Sequence, residues 1–132
     1  MENCIFCKLR DDKNTIIYQN KECFVVLDKY PIEKGHLLVI SNEHYKDMLE
    51  APKNVVESMS VVSKEFASKL KVKLGAEGIN IGTNIGKEAG QKIMHFHIHV
   101  IPRYHGKGRN FNFGHNPKIS EGESQALIEK LR

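Results

Sequence analysis

The chain has 132 residues, which is the size of one ordinary domain and enough to enclose a single hydrophobic core. Hydrophobic residues make up 40% and charged residues 27%, a balance typical of globular proteins. The net charge of +4 suits a phosphorylated ligand, but no stripe of lysines and arginines indicates a nucleic-acid surface. No apolar run approaches the roughly 20 residues that span a bilayer, and no apolar signal segment is seen. We therefore expect a cytoplasmic protein that binds neither membranes nor nucleic acid.

Five short segments rich in β-forming residues predict five strands. Their sequences are TIIYQ at 15–19, ECFVVLD at 22–28, HLLVIS at 36–41, GINIGT at 78–83 and HFHIHVI at 95–101. Between the third and fourth strands, apolar residues at helical spacing predict one long helix from about Pro52 to Leu74, which Gly75 ends. Ser120 and Glu123 are spaced as a capping box and predict a short second helix. Mostly antiparallel strands with few helices point to an α+β fold.

Residues 95–103 read HFHIHVIPR and place three of the chain's seven histidines at alternate positions. A strand would direct His95, His97 and His99 to one face, whereas a helix would turn His97 away from the other two. The apolar residues between them would fill the opposite face and anchor it in the core. Because β-branched residues favour a strand and a proline interrupts one, we predict a strand that ends at Pro102.

Two kinds of chemistry fit three histidines on one face of a strand. Neighbouring imidazoles can hold a metal ion. Alternatively, a neutral imidazole can attack phosphorus while its neighbour contacts the phosphate and stabilises the developing charge. The preceding segment NIGKEAGQKIM offers Gly86 and Gly90 for close backbone approach to a ligand, with Asn84 and Gln91 as neutral phosphate donors. The residues alone leave both kinds of chemistry open.

Cys4 and Cys7 form an isolated C-x-x-C pair, and the third cysteine, Cys23, lies among strand-forming residues. Three cysteines do not indicate a disulfide framework, and no βαβ pattern surrounds the pair to suggest a thioredoxin-like dithiol. A tetrahedral zinc ion would need two further ligands. The pair is therefore either half of a metal site or two free thiols.

The run His-Phe-His-Ile-His-Val-Ile resembles the signature of the histidine triad (HIT) superfamily. PIEKGHLLVI and EAGQKIMHFHIHVIPR resemble the two best-marked stretches of that family, and the likeness covers roughly residues 4–105. It implies a HIT-like fold: a five-stranded antiparallel sheet with one long and one short helix, as a single domain over residues 1–132. The core would span about 4–105, followed by a tail and helix at 106–132. The resemblance also implies a homodimer with a ten-stranded sheet.

The same resemblance implies an activity. Members of the superfamily attack the α-phosphate of a nucleotide, form a nucleotidyl-histidine intermediate and then hydrolyse or transfer it. The implied substrates are purine nucleotide derivatives such as adenosine phosphoramidates, adenylated metabolites and dinucleoside polyphosphates. Two alternatives stay open: a nucleotide-binding module with negligible turnover, and a metal-dependent hydrolase that uses the histidines as ligands.

Carried over residue by residue, the resemblance implies a role for each matching position. His97 resembles the nucleophile, His99 the histidine that contacts the α-phosphate, and His36 a separate histidine beside the phosphate. Asp28 matches the position that binds the ribose hydroxyls. The remaining matches are Asn84 and Gln91 on the phosphate side and Phe6, Leu9 and Val26 around the base. Ordinary core packing explains the last three equally well. Lys92 stands where many relatives carry Ser or Thr, and its charge could serve a polyphosphate instead.

Zinc-bearing members of the superfamily complete a cysteine pair with two histidines. The matching residues are His44 and His95, so the resemblance implies a structural zinc ion held by Cys4, Cys7, His44 and His95. On this interpretation His95 is structural, and the other two histidines of the triad remain for chemistry.

Overall fold

The computed structural model describes residues 3–132 and folds them around a five-stranded antiparallel sheet. The strands are β1 (Tyr18–Gln19), β2 (Cys23–Leu27), β3 (Leu37–Ser41), β4 (Gly78–Gly82) and β5 (His97–Arg103). They lie in the order β1-β2-β3-β5-β4, and every neighbouring pair is antiparallel. The predicted α+β fold and its five-stranded sheet are therefore confirmed.

Within the described residues, three α-helices accompany the sheet: α1 (Ile5–Leu9), α2 (Lys53–Leu74) and α3 (Glu121–Leu131). The long helix α2 ends at Gly75, whose φ of 70° is left-handed. Glycine adopts this conformation with less strain than any residue that carries a Cβ. Helix α3 is the predicted C-terminal helix, and the Ser120 hydroxyl accepts a hydrogen bond from the Glu123 N–H. The sequence did not predict α1, because a segment this short shows no helical periodicity. None of the helices within residues 3–132 has the length and apolar character needed to cross a bilayer.

The two faces of the sheet are covered differently. Helices α2 and α3 pack on one face, where the apolar stripe of α2 meets alternate residues of the central strands. Buried residues on this side include Met59, Phe66, Leu70, Phe96, Ile98 and Val100. A smaller cluster on the other side consists of Phe6, Phe24, Val26, Leu38 and Ile40. His97 and His99 share this second side because side chains alternate along β5.

Strand β5 lies inside the sheet, between β3 and β4, and its bounds differ from the prediction. It begins only at His97, so His95 lies in the bend before it. It also continues through Pro102 to Arg103, whereas the prediction ended it at Pro102. Strand β3 pairs with β5 only as far as Val100, so β5 has a single neighbour at Pro102. A proline is tolerated where a strand has lost one of its neighbours.

Candidate active site and metal centre

Helix α1 links two groups of functional side chains. Cys4 is its N-cap, and its Sγ accepts a hydrogen bond from the Cys7 N–H at 3.4 Å. Phe6, which is buried, packs edge-on against the rings of His95 and His97 at centroid distances of 5.8 and 5.0 Å. One short helix therefore carries both cysteines and a contact to the histidine strand.

The structure brings the four predicted metal ligands together. The ligand atoms of Cys4, Cys7, His44 and His95 all lie within 4.8 Å of one another. The Nδ1 atom of His95 is 3.2 Å from Cys4 Sγ and 3.6 Å from Cys7 Sγ, and His44 Nδ1 is 3.4 Å from Cys7 Sγ. Tetrahedral zinc with ordinary bond lengths separates its sulfur and nitrogen ligands by about 3.5 Å. The donor set and its spacing therefore fit zinc.

The surroundings of His95 also suit a metal ligand. Its Nε2–H donates to the Ser41 carbonyl oxygen at 2.8 Å, which leaves the Nδ1 lone pair directed at the cysteines. Metal-bound histidines usually donate their second ring N–H in this way. Burial lowers the pKa of His95 to about 4, so the ring is neutral near pH 7.

His97 is held in a single tautomer. Its Nδ1 lies 2.7 Å from the His95 carbonyl oxygen, which can only accept, so Nδ1 carries the proton. The lone pair therefore resides on Nε2. Burial lowers the pKa of His97, which keeps the ring neutral near pH 7. The Thr83 hydroxyl donates to the His97 carbonyl at 2.6 Å and fastens the start of β5.

A chain of hydrogen bonds sets the opposite tautomer in His99. The Ile32 N–H donates to His36 Nδ1 at 3.0 Å, so the proton of His36 is on Nε2. That Nε2–H donates to His99 Nδ1 at 2.9 Å, which leaves the proton of His99 on its own Nε2. Burial lowers the pKa of His99 and brings that of His36 to about 3. Both rings are neutral, and one backbone amide determines the direction of the chain.

Asp28 lies beside this pair of histidines. Its Oδ2 is 3.5 Å from His36 Nε2, but a neutral His36 makes the contact one between a carboxylate and a neutral ring. Its Oδ1 accepts the Tyr30 N–H at 2.8 Å. Burial raises the pKa of the Asp28 carboxyl. The carboxylate of Asp28 lines a cleft, and its remaining lone pairs can accept hydrogen bonds from hydroxyl groups there.

This cleft is mostly apolar and is lined in part by His97 and His99. The side chains that give it its apolar character are Ile5, Phe6, Leu9, Leu27, Leu38 and Ile93. Asp28 and Lys92 add charge, and Phe113 reaches the cleft from the C-terminal tail. Sequence reasoning found Phe6 and Leu9 but missed Leu27 and Phe113. Val26 is not among the residues that line the cleft; it is buried in the smaller core cluster on the same side of the sheet.

The loop before the triad departs from the prediction at one position. The Gln91 amide nitrogen donates to the carbonyls of Lys46 and Ile93, at 2.7 and 3.0 Å, and its oxygen accepts the Gly86 N–H at 2.8 Å. Both amide hydrogens are used, so Gln91 fastens the loop and has no free donor for a phosphate. Asn84 is 3.5 Å from the Gly90 carbonyl and lines a depression next to the cleft.

An antiparallel sheet with alternating histidines beside an apolar cleft is the arrangement of the histidine triad class. Residues 10–106 match the family model of the HIT domain. The chain is also 35% identical to an uncharacterised HIT-like protein of Mycoplasma genitalium, over 98% of this chain and 94% of that one. The protein belongs to the HIT family, whose members are generally nucleotide hydrolases and transferases.

Two further relatives bear on the metal and the chemistry. The crystal structure of a Zn-bound histidine triad family protein from Mycobacterium smegmatis superposes with a TM-score of 0.81 at 30% identity, covering 98% of this chain and 94% of that one. An Arabidopsis thaliana protein named as an adenylylsulfatase is 34% identical over 76% of this chain and 52% of its own length.

Proposed function

We propose that this protein hydrolyses or transfers purine nucleoside 5′-phosphate derivatives through attack of His97 on the α-phosphorus. The observation that carries the proposal is the pair of opposite tautomers. His97 presents a lone pair on Nε2, and His99 presents an N–H on Nε2, with ring centroids 5.0 Å apart. A nucleophile beside a hydrogen-bond donor suits a phosphate on which negative charge develops.

The reaction takes two steps. In the first, Nε2 of His97 bonds to phosphorus while the bond to the leaving group breaks; the leaving group keeps the electron pair and takes a proton from solvent. The ring becomes positively charged, and the His95 carbonyl that accepts its Nδ1–H stabilises that charge. In the second step water attacks the phosphorus, loses a proton to solvent and displaces His97 with its lone pair restored. An alcohol or phosphate in place of water gives transfer.

The cleft lined by His97 and His99, called the nucleotide cleft from here on, would hold the nucleoside. The apolar walls from Phe6 and Leu9 suit a purine base, and the Asp28 carboxylate suits the ribose hydroxyls. Lys92 lines the same cleft, and its positive charge suits the phosphate. The substrates that share this reacting centre are adenosine phosphoramidates, adenylated metabolites such as adenylyl sulfate, and dinucleoside polyphosphates.

We also propose that Cys4, Cys7, His44 and His95 hold a structural zinc ion. Four protein ligands leave no open coordination position, so the ion would supply rigidity rather than chemistry. The carbonyl that orients His97 belongs to His95, one of the four. A bound ion would therefore stiffen the backbone on which the nucleophile depends.

A homodimer with a ten-stranded sheet is the assembly we propose. Strand β4 lies at one edge of the sheet, and Ile81 on it is 50% exposed. Helix α2 also exposes two apolar side chains, Val61 and Val72. An edge strand with exposed apolar residues requires cover, and antiparallel pairing of two β4 strands would supply it.

The decisive experiment concerns His97. His97→Ala should reduce turnover of adenosine 5′-phosphoramidate by roughly 10³-fold or more, because only binding and electrostatic effects remain. Wild-type protein quenched during turnover, and kept above acidic pH, should carry one nucleotidyl group on the peptide that contains His97. His105→Ala, which removes an exposed histidine of the tail, serves as the matched control and should keep both activity and label.

Each alternative gives a different result. A binding module would retain nucleotide without any covalent label. A metal-dependent hydrolase would lose turnover on chelation and would not be labelled at His97. Near-normal activity of His97→Ala, or a label on His99 or His36, would contradict the proposed assignment.

A further inference from the structure

The cluster of Cys4, Cys7, His44 and His95 has one side open to solvent. Cys4 and His44 line a wide surface depression, which Met94 borders. Both cysteines are only partly buried. None of the lining residues belongs to β4 or α2, the two elements of the proposed dimer interface, so the dimer leaves this depression open. A small oxidant dissolved in water can therefore reach the sulfur of Cys4.

The two cysteine sulfurs are placed to join each other. Cys4 Sγ accepts a hydrogen bond from the Cys7 N–H at 3.4 Å, and the two sulfurs lie within 4.8 Å of one another. The Cys4 carbonyl accepts the Lys8 N–H at 3.3 Å, so a single helical turn connects the pair. Residues three apart on one turn fall within the Cα separation of about 4.4 to 6.8 Å that a disulfide spans. Side-chain rotation is therefore enough to bring the sulfurs into bonding distance.

A disulfide between these cysteines is incompatible with a bound zinc ion. Zinc binds the thiolate form of cysteine, and oxidation removes both thiolates together. His44 and His95 would then remain as the only ligands of the four. A structural zinc site requires four protein ligands, so formation of the disulfide would release the ion.

Two contacts carry a change at the cysteines to the proposed nucleophile. The carbonyl of His95 accepts the Nδ1–H of His97 at 2.7 Å and fixes its tautomer. Phe6 lies between the two cysteines in the chain and packs edge-on against the rings of His95 and His97. Loss of the ion would free the His95 ring and loosen both contacts. Oxidation at the surface would thus disturb the aim of His97.

The third cysteine lies in a different environment. Cys23 has no exposed surface and belongs to the core between the sheet and the helices. Oxidation of thiols depends on access to solvent and on a second thiol within reach. Cys23 should therefore stay reduced under conditions that oxidise the other two cysteines.

We propose that Cys4 and Cys7 form a redox modification site, at which a hydroperoxide oxidises the pair to a disulfide, releases the zinc ion and slows turnover. This inference rests on the zinc centre and the reaction proposed above. The Cys4 thiolate attacks one peroxide oxygen; a sulfur–oxygen bond forms, the oxygen–oxygen bond breaks and hydroxide leaves. The Cys7 thiolate then attacks the Cys4 sulfur; the disulfide forms, the sulfur–oxygen bond breaks and a second hydroxide leaves. Both hydroxides take protons from solvent, so two thiolates are oxidised while one peroxide is reduced to water.

The test treats the zinc-loaded wild-type protein with a small excess of hydrogen peroxide. Trypsin places Cys4 and Cys7 together in peptide 1–8 and Cys23 in peptide 22–29. Peptide 1–8 should become lighter by two hydrogens and resist alkylation, whereas peptide 22–29 should still be alkylated. A chelating dye should record release of about one zinc ion per chain. Dithiothreitol with added zinc should reverse both changes, because a disulfide is reducible and a sulfinic acid is not.

Turnover is the second measurement on the same samples. The kcat for adenosine 5′-phosphoramidate should fall about tenfold or more after oxidation, since small displacements of a reacting group cost large factors in rate. Cys23→Ser, which removes only the core thiol, should release zinc and lose turnover as the wild type does.

The outcomes separate this inference from the proposals beneath it. Zinc that stays bound in peroxide, release without a disulfide in peptide 1–8, or an unchanged kcat after full release would each overturn the redox site and leave the proposed reaction standing. Protein that holds no zinc before oxidation would overturn the zinc centre and this inference together.

Discussion

Loss of one metal ligand tests the proposed zinc centre most directly, and His44→Ala is the variant of choice because the side chain is only half-buried. The ligand atoms already lie within 4.8 Å of one another, so an ion would meet a formed site and its binding energy would appear as stability. An ion at 100 to 1,000 times its Kd stabilises the folded state by about 2.7 to 4.1 kcal/mol. The expected loss is therefore about 3 to 4 kcal/mol.

The corresponding change in melting temperature follows from the chain length. A protein of 132 residues has an unfolding entropy of about 0.28 kcal/mol/K. The expected decrease in Tm is therefore about 10 to 15 °C, for His44→Ala and for wild-type protein stripped by a chelator. The fold should persist, because none of the four ligands belongs to the main hydrophobic core between the helices and the sheet.

Calorimetry and metal analysis on the same samples check this expectation. Wild-type protein should contain about one zinc ion per chain, and a chelator should have no further effect on the Tm of His44→Ala. His105→Ala, at an exposed histidine outside the cluster, should keep the zinc and the wild-type Tm. Cys23→Ser should also keep the zinc, because Cys23 lies in the core on the other side of the sheet. Metal-free protein with an unchanged Tm would refute the reasoning.

Four further expectations follow from the structure. Because burial lowers the pKa of His97, kcat/KM should stay level as pH falls through 6.5, and a decline centred at that pH would contradict a neutral buried nucleophile. The pKa of His36 is about 3 in the folded protein and 6.5 in a free ring, so the unfolded chain becomes protonated at His36 at a higher pH than the folded chain does. The free energy of unfolding, measured by urea denaturation, should therefore fall as the pH decreases from 6.5 toward 3. A free energy of unfolding that does not change over this range would contradict the expectation. Gly35→Ala should lower the free energy of unfolding by about 1 to 3 kcal/mol, because the φ of Gly35 is 93° and an added Cβ would lie 2.5 Å from Leu74 Cδ1. The control is Gly122→Ala in α3, where an added Cβ meets nothing within 4 Å and should stabilise the protein by up to about 1 kcal/mol. Equal melting temperatures for the two variants would contradict this expectation. Light scattering should give about twice the 15.1 kDa chain mass, and a stable monomer at micromolar concentration would rule out the proposed homodimer.

Much of the fold follows from periodicity that can be read along the chain. Histidines that alternate with Phe96 and Ile98 require a strand with one apolar face, because side chains on a strand repeat every two residues. The stripe of α2 repeats at the helical period and stops at Gly75, where only glycine adopts the left-handed turn easily. His44 is different: no local pattern marks it as a ligand, and it was predicted only through the family resemblance.

Tertiary structure alone decided which atoms the site presents. The tautomers of His97 and His99 depend on the carbonyl of His95 and, through His36, on the N–H of Ile32, and the His36–His99 contact joins residues 63 apart in the chain. Gln91 has the side chain of a phosphate donor, yet loop packing gives its amide to backbone carbonyls. Periodicity reports only which face a residue takes within its own element. Which distant group it meets there, and therefore which protons and lone pairs remain for a substrate, depends on how the elements pack.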